Sequence, residues 1–179
     1  CGKTTVLRSI AGFEQPSRGE ISLNGKKLSG FKTHVDPEKR HIGMVFQDIA
    51  LFPHLSVEEN IQFGMRSWSH EKRKKRSQEL LDLIGMSQFM KKYPHQLSGG
   101  QQQRIALARA MAPKPSLLLM DEPFSSLDIE LREQLAREVR LILKHENISA
   151  LLVTHDQNEA FAMGDDICVI NQGRVQPVS

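Results

Sequence analysis

The sequence predicts an α/β fold with a mostly parallel core sheet, a small antiparallel β layer beside it and an inserted α-helical subdomain. Three observations carry that prediction. After Pro115 the chain alternates apolar, strand-length runs with helix-period stretches, the pattern of parallel strands covered on both faces. Near the start, a short alternating segment runs into Asn24-Gly25, a strong hairpin turn. Over roughly 56–105 the pattern turns helical without strand signals. A chain of 179 residues has room for one sizeable core, so a single domain spans 1–179 with the helical subdomain inside it.

Each element has its own signal. Residues 3–11 read as a helix stopped by Gly12. Glu20-Ile21-Ser22-Leu23 alternates as a strand, and His41-Ile42-Gly43-Met44-Val45-Phe46 gives another, both assigned to the antiparallel layer. Ser56 with Glu59 three residues on is a capping-box start, and Leu80, Leu81, Leu83 and Ile84 form the stripe of a later helix. A helix follows Leu97-Ser98-Gly99-Gly100-Gln101 and ends near Pro113. Then come strand 117–120, a helix with Leu131, Leu135, Val139 and Ile142 in phase, buried strand 150–154, helix 157–163 and strand 167–170, closed by an Asn171-Gln172-Gly173 turn.

Bulk properties exclude several roles. The net charge of +3 is small and its charges are interleaved, so no nucleic-acid footprint is expected. The run Lys72-Arg73-Lys74-Lys75-Arg76 has no aromatic between its charges and reads as a solvated helix face. The longest apolar runs are strand length, which predicts no membrane span. No stretch reads as a signal peptide. Cys1 and Cys168 lack disulfide or metal spacing, as expected of a reducing, cytosolic compartment.

The chemistry gathers in a few places. Gly2-Lys3-Thr4-Thr5 has the ending of a phosphate loop: Lys3 as a fixed charge on phosphates, Thr4 as a magnesium ligand, backbone N–H groups on phosphate oxygens. The apolar run Leu117-Leu118-Leu119-Met120 delivers Asp121 and Glu122 at a strand tip, Asp121 towards magnesium and Glu122 as proton acceptor for an attacking water. The Ser98-Gly99-Gly100-Gln101 turn opens a helix whose free N–H groups suit a phosphate. Gln47 ends a strand and its carbonyl can complete a magnesium shell. His155 follows a buried strand and can donate to a γ-phosphate oxygen.

In this order the set closely resembles the ATP-binding subunit of ABC transporters, and the resemblance covers essentially the whole chain. Gly2-Lys3-Thr4-Thr5 matches the end of Walker A, Gln47 the Q-loop, 97–101 the signature, 117–122 Walker B, Ser126-Leu127-Asp128 the D-loop and His155 the switch. The resemblance implies ATP and Mg2+ as ligands and a second ATPase subunit paired head to tail. Ser98, Gly99, Gly100 and Gln101 would then face ATP held by the partner's phosphate loop, with Asp128 crossing the same interface. It also implies transmembrane permease subunits, a periplasmic or surface solute-binding protein acting through them, and a place on the cytoplasmic face of a bacterial inner membrane. Ala11-Gly12-Phe13-Glu14, Leu51-Phe52-Pro53-His54 and Tyr93-Pro94-His95-Gln96 are similar to subunits importing ferric iron, with polyamine, sulfate and sugar importers as alternatives.

A soluble ABC ATPase acting on DNA or ribosomes is the competing class. The interval of about fifty residues from Gln47 to Leu97 holds no heptads or paired cysteines of the kind DNA-repair relatives insert. The chain opens at Cys1, inside the phosphate loop, and is expected to be a fragment truncated at both ends. A fragment without the strand before that loop is expected to fold poorly and not to hydrolyse ATP alone.

Overall fold

The computed structural model describes residues 2–178. Eighteen elements follow in order, fourteen of them helices or strands that matter here. Helix α1 (Lys3–Ala11) is followed by a meander, β1 (Ile21–Leu23), β2 (Lys26–Gly30) and β3 (Thr33–His34). Strand β4 (Ile42–Val45) precedes helices α2 (Val57–Gln62), α3 (His70–Leu83) and α4 (Gly99–Met111). Strand β5 (Leu117–Asp121), helix α5 (Ile129–His145), strand β6 (Ala150–Val153), helix α6 (Gln157–Met163) and strands β7 (Ile167–Asn171) and β8 (Arg174–Val178) complete the described chain.

The core sheet is β4-β5-β6, all parallel, with β5 in the middle. Alternation along β5 divides its side chains between two faces. Leu118 and Met120 join a large cluster with α2, α3, α4 and α5, while Leu119 packs with Leu7 and Ala11 of α1 on the other face. The large cluster runs unbroken from Ile61 and Leu80 through Ile105 to Leu135 and Val139, so the helical block shares its apolar interior with the sheet.

Local signals decide the ends of elements. Ser56 and Glu59 form the expected capping box at α2, with Glu59 N–H donating to Ser56 Oγ (3.2 Å) and Ser56 N–H to Glu59 Oε2 (2.7 Å). Gly12 ends α1 in the left-handed region at φ 97°.

Three expectations are corrected by the pairing. β4 was assigned to the antiparallel layer, yet it pairs parallel with β5 from Ile42↔Leu117 to Val45↔Met120. The long helical connection between them is the kind of crossover that a parallel pair requires. β6 was expected to be a buried strand, but it is exposed or half-buried, with Leu151 at 38% exposure, because β5 pairs with only one of its edges. β7 does not extend the parallel sheet. The turn at Gln172 and Gly173, both at positive φ, sends the chain straight back as β8, and the two form a separate antiparallel ribbon.

The basic run on α3 is also more than a solvated face. Lys72, Lys74 and Lys75 are exposed, but Arg76 is buried. Its guanidinium pairs with Glu146 Oε2 at 3.0 Å and donates to the carbonyls of Met111 (3.0 Å) and Ala112 (3.1 Å) at the end of α4. One side chain therefore ties α3 to the C-terminal ends of both α4 and α5. Arg76→Ala is expected to cost about 3–5 kcal/mol in urea unfolding by stranding Glu146 and two carbonyls. Arg76→Met combined with Glu146→Leu, which leaves no charge behind, is expected to lose less.

Candidate functional site

The register of the core sheet sets the site. Val45 pairs with Met120 and Asp121 with Val153, so β4, β5 and β6 end at one level and their following loops leave along one sheet edge. Those loops carry Gln47, Glu122 and His155. Gln47 is exposed two residues beyond β4, in a loop held open by Asn60: Phe52 N–H donates to Asn60 Oδ1 (2.9 Å), and Asn60 Nδ2 donates to the carbonyls of Phe52, Leu55 and Ser56.

Asp121 is the last residue of β5 and half-buried. Burial first, and the neighbouring Glu122 charge second, push its carboxyl above the ordinary range. Glu122 turns the chain at φ 44°, a left-handed conformation beside Pro123, which denies it the right-handed helical region. Its N–H donates to Val153 O (2.8 Å), and its Oε1 lies 2.9 Å from His155 Nδ1. An ionised carboxylate only accepts, so Nδ1 carries the proton and donates.

Lys3 reaches the same loop from the other side, with Nζ donating to Thr154 O at 3.3 Å. Gly2 caps α1 at φ 92° with open space where a Cβ would stand, and Thr4 and Thr5 are exposed in the first turn. α2 to α6 each have a side chain closing the N-terminus: Ser56, Ser69, Ser98, Asp128 and Asp156. α1 has neither a side-chain cap nor an acidic residue in its first turn, leaving its positive end unsatisfied.

The signature run lies at the start of α4. Ser98 Oγ accepts from Gln101 N–H (3.2 Å), and Gln101 Oε1 accepts from Ser98 N–H (3.0 Å). Gln101 therefore closes a capping box, a local role that the phosphate reading did not assign. Gly99 is exposed, whereas Gly100 is buried against α5: a Cβ there would meet Leu131 Cδ2 at 3.2 Å. Asp128 is the cap of α5, its Oδ1 accepting from Leu131 N–H (3.0 Å).

Sequence reasoning missed the network behind the pair. Arg132, Thr154, Asp156 and Glu159 interlock beneath His155. Asp156 Oδ1 accepts from the N–H groups of Asn158 and Glu159, and Thr154 Oγ1 donates to Glu159 Oε2 (2.7 Å). Arg132 pairs with Asp156 at 3.2 Å. The helix-start signal of Asp156 was available in the sequence, while the carboxylate partners of Arg132, Asp156 and Glu159, lie more than twenty residues from it and were not.

Nucleotide chemistry fits these residues. An uncapped helix start beside a lysine suits phosphate oxygens. Among the described residues, no three His, Cys, Asp or Glu side chains come together as a metal cage. Magnesium binding through one carboxylate, a hydroxyl, phosphates and waters does not need one, and Asp121 with Thr4 is that kind of donor set. Among the described residues, no helix is long and apolar enough to cross a membrane.

A phosphate-loop fold with an aspartate–glutamate strand tip defines the site as that of a nucleotide-binding domain. The chain matches the ABC transporter family over residues 1–125 and belongs to it. Residues 92–160 also match a family described as "AAA domain, putative AbiEii toxin, Type IV TA system". The chain is 47% identical, over 98% of its length and 50% of the relative's, to an Fe(3+) ions import ATP-binding protein of Haemophilus influenzae. It is 50% identical over 97% of its length to one of Pseudomonas fluorescens, covering 49% of that protein. It is 49% identical over 97% of its length to a putrescine transport ATP-binding protein of Escherichia coli, covering 46% of it. The chain thus spans about half the length of the curated relatives it matches.

The Asp156 network makes a pH prediction. Hydrogen bonds from the α6 N-terminus, led by Glu159 N–H, and the Arg132 guanidinium hold its carboxyl below the ordinary range. The stability from this group is complete above the unfolded value of about 3.9 and is lost as pH falls through the folded value. Asp156→Asn keeps an acceptor for the cap but loses the charge. Its deficit in urea midpoint is expected to be full at pH 7 and to shrink below about pH 4. A deficit that stays constant into strong acid refutes the assignment.

Proposed function

We propose that this chain is the ATP-hydrolysing part of a bacterial importer, energising solute passage through a transmembrane permease. The observation that carries it is the bond between Glu122 and His155, 33 positions apart, beside a loop that Lys3 also grips. Glu122 takes a proton from the attacking water, and His155 holds its carboxylate in position. Lys3, with the N–H groups of Gly2, Thr4 and Thr5, holds the phosphates. Thr4, Asp121 and Gln47 are the residues to hold Mg2+, which supplies charge neutralisation on the phosphate oxygens.

The exposed start of α4 supports a pair of subunits. Ser98 and Gly99 lie on the surface, with Gln101 closing their turn, which leaves the turn accessible to a ligand held outside its own subunit. Two copies placed head to tail would each present Ser98, Gly99 and Gly100 to ATP on the other, with Asp128 near the seam. Gln47 and the block 56–105 would pass closure to the permease on the cytoplasmic face of the membrane, and a solute-binding protein would act from the other side. Ferric iron is the proposed solute. Relatives named for putrescine and spermidine import stand at similar identity, which keeps a polyamine as the second reading.

Glu122→Gln in the native-length protein is expected to lower kcat by about 100-fold or more while ATP affinity, read by fluorescent-nucleotide titration, is retained. Unchanged turnover removes Glu122 from the role of base. For the solute, ATP turnover of the assembled transporter is expected to rise with ferric-loaded binding protein and not with a putrescine-loaded one. The reverse result selects the polyamine reading.

A further inference from the structure

Two loops must stay in register for Glu122 and His155 to remain bonded, and one side chain joins them. Arg132 leaves α5 one turn after the Asp128 cap, and its side chain is 18% exposed. Nη2 donates to the carbonyls of Ser125 (3.3 Å) and Leu127 (3.0 Å), both in the loop between Glu122 and Asp128. Nη1 donates to Asp156 Oδ2 at 3.2 Å, in the residue directly after His155. Nε lies 3.5 Å from Glu159 Oε1, and Glu159 is 2% exposed and bonded to Thr154.

We propose that Arg132 is the positioning residue of this site, bracing the loop after β5 against the loop after β6 so that Glu122 and His155 stay within hydrogen-bonding distance. This rests on the reading of that pair as hydrolytic. The planar fork matters because its donors must reach two backbone carbonyls and a carboxylate at fixed angles, which an ammonium does not reproduce. Arg132 Nε is buried and, among the described residues, still lacks a hydrogen-bond partner. A small approach of α6 to α5 brings the Glu159 carboxylate, now 3.5 Å away, into bonding distance and completes the brace.

The same guanidinium also touches the D-loop side of the site. Its grip on Ser125 O and Leu127 O fixes the backbone just before Asp128. A movement imposed on Asp128 from outside therefore reaches His155 through Arg132, without passing through the sheet.

The test uses Arg132→Lys in the native-length protein, since lysine keeps a charge beside Asp156 and Glu159 and preserves the fold. Steady-state ATP turnover is expected to lose about 100-fold in kcat with KM changed by less than about threefold. Hydrogen exchange is expected to quicken together in 122–128 and 154–160 while the α3 amides stay as they were. Either readout remaining at the wild-type level overturns the brace: loops that loosen without loss of turnover show that positioning is not needed, and lost turnover with both loops protected shows that Arg132 acts otherwise. Wild-type protein that binds ATP without turning it over defeats the hydrolytic reading instead, and the exchange data then judge the brace alone. Should Arg132→Lys fail to fold, Arg132→Gln with added guanidinium takes its place, with recovery of turnover supporting the brace and its absence overturning it.

Discussion

Everything at the candidate site hangs from β5, the strand of the core sheet that is paired along both edges. Its side chains must be apolar on both faces, Leu118 and Met120 towards the helices and Leu119 towards α1, because neither face meets water. The register observed along both of its edges brings three loops out at one edge of the sheet. It also sets a cost at the tip. Asp121 sits where burial and the Glu122 charge both oppose its ionised form, and a cation relieves both at once.

A second constraint is met by arginines. Helix ends and loops leave carbonyls without partners, and here long guanidinium side chains reach them. Arg40 donates to the carbonyls of Ser9, Ile10, Leu28 and Val35, fastening the end of α1 to the β1-β2-β3 meander. Arg76 serves Met111 and Ala112, Arg109 serves Ala50, Arg140 serves Met163, and Arg132 serves Ser125 and Leu127. The side chains of Arg40, Arg76, Arg109 and Arg140 join elements far apart in sequence, whereas Arg132 holds the adjoining loop and reaches further through Asp156. Among the described residues, the buried charge of Arg40 has no carboxylate within salt-bridge distance, and burial lowers its pKa from the ordinary value. Carbonyl dipoles and Ser29 Oγ supply the compensation instead.

Where a signal is local, the sequence was legible. The capping box at Ser56 and Glu59, the Asn24-Gly25 hairpin and the Gly12 helix stop each depend on residues within a few positions, and all appear in the fold. Where it depends on a distant partner, the sequence was silent. Nothing near Ile42–Val45 says that its neighbour is β5 and not β2, and nothing in Ile167–Asn171 excludes the parallel sheet until the return strand is seen. The site divides in the same way. Lys3, Asp121, Glu122 and His155 were readable as types of residue in order. The bond between the last two, and the arginine behind them, depend on how two loops meet.

That bond also limits what His155 can do. With Nδ1–H committed to Glu122, a neutral imidazole turns a lone pair outwards at Nε2, which repels a phosphate oxygen. For His155 to brace the base and also donate to a phosphate, the ring must carry two protons. Otherwise it must let Glu122 go. The donor role read from the sequence and the bracing role read from the Glu122 contact are therefore compatible only when both ring nitrogens carry a proton. The geometry of a single hydrogen bond thus sets bracing the base and donating to a phosphate against each other on one ring.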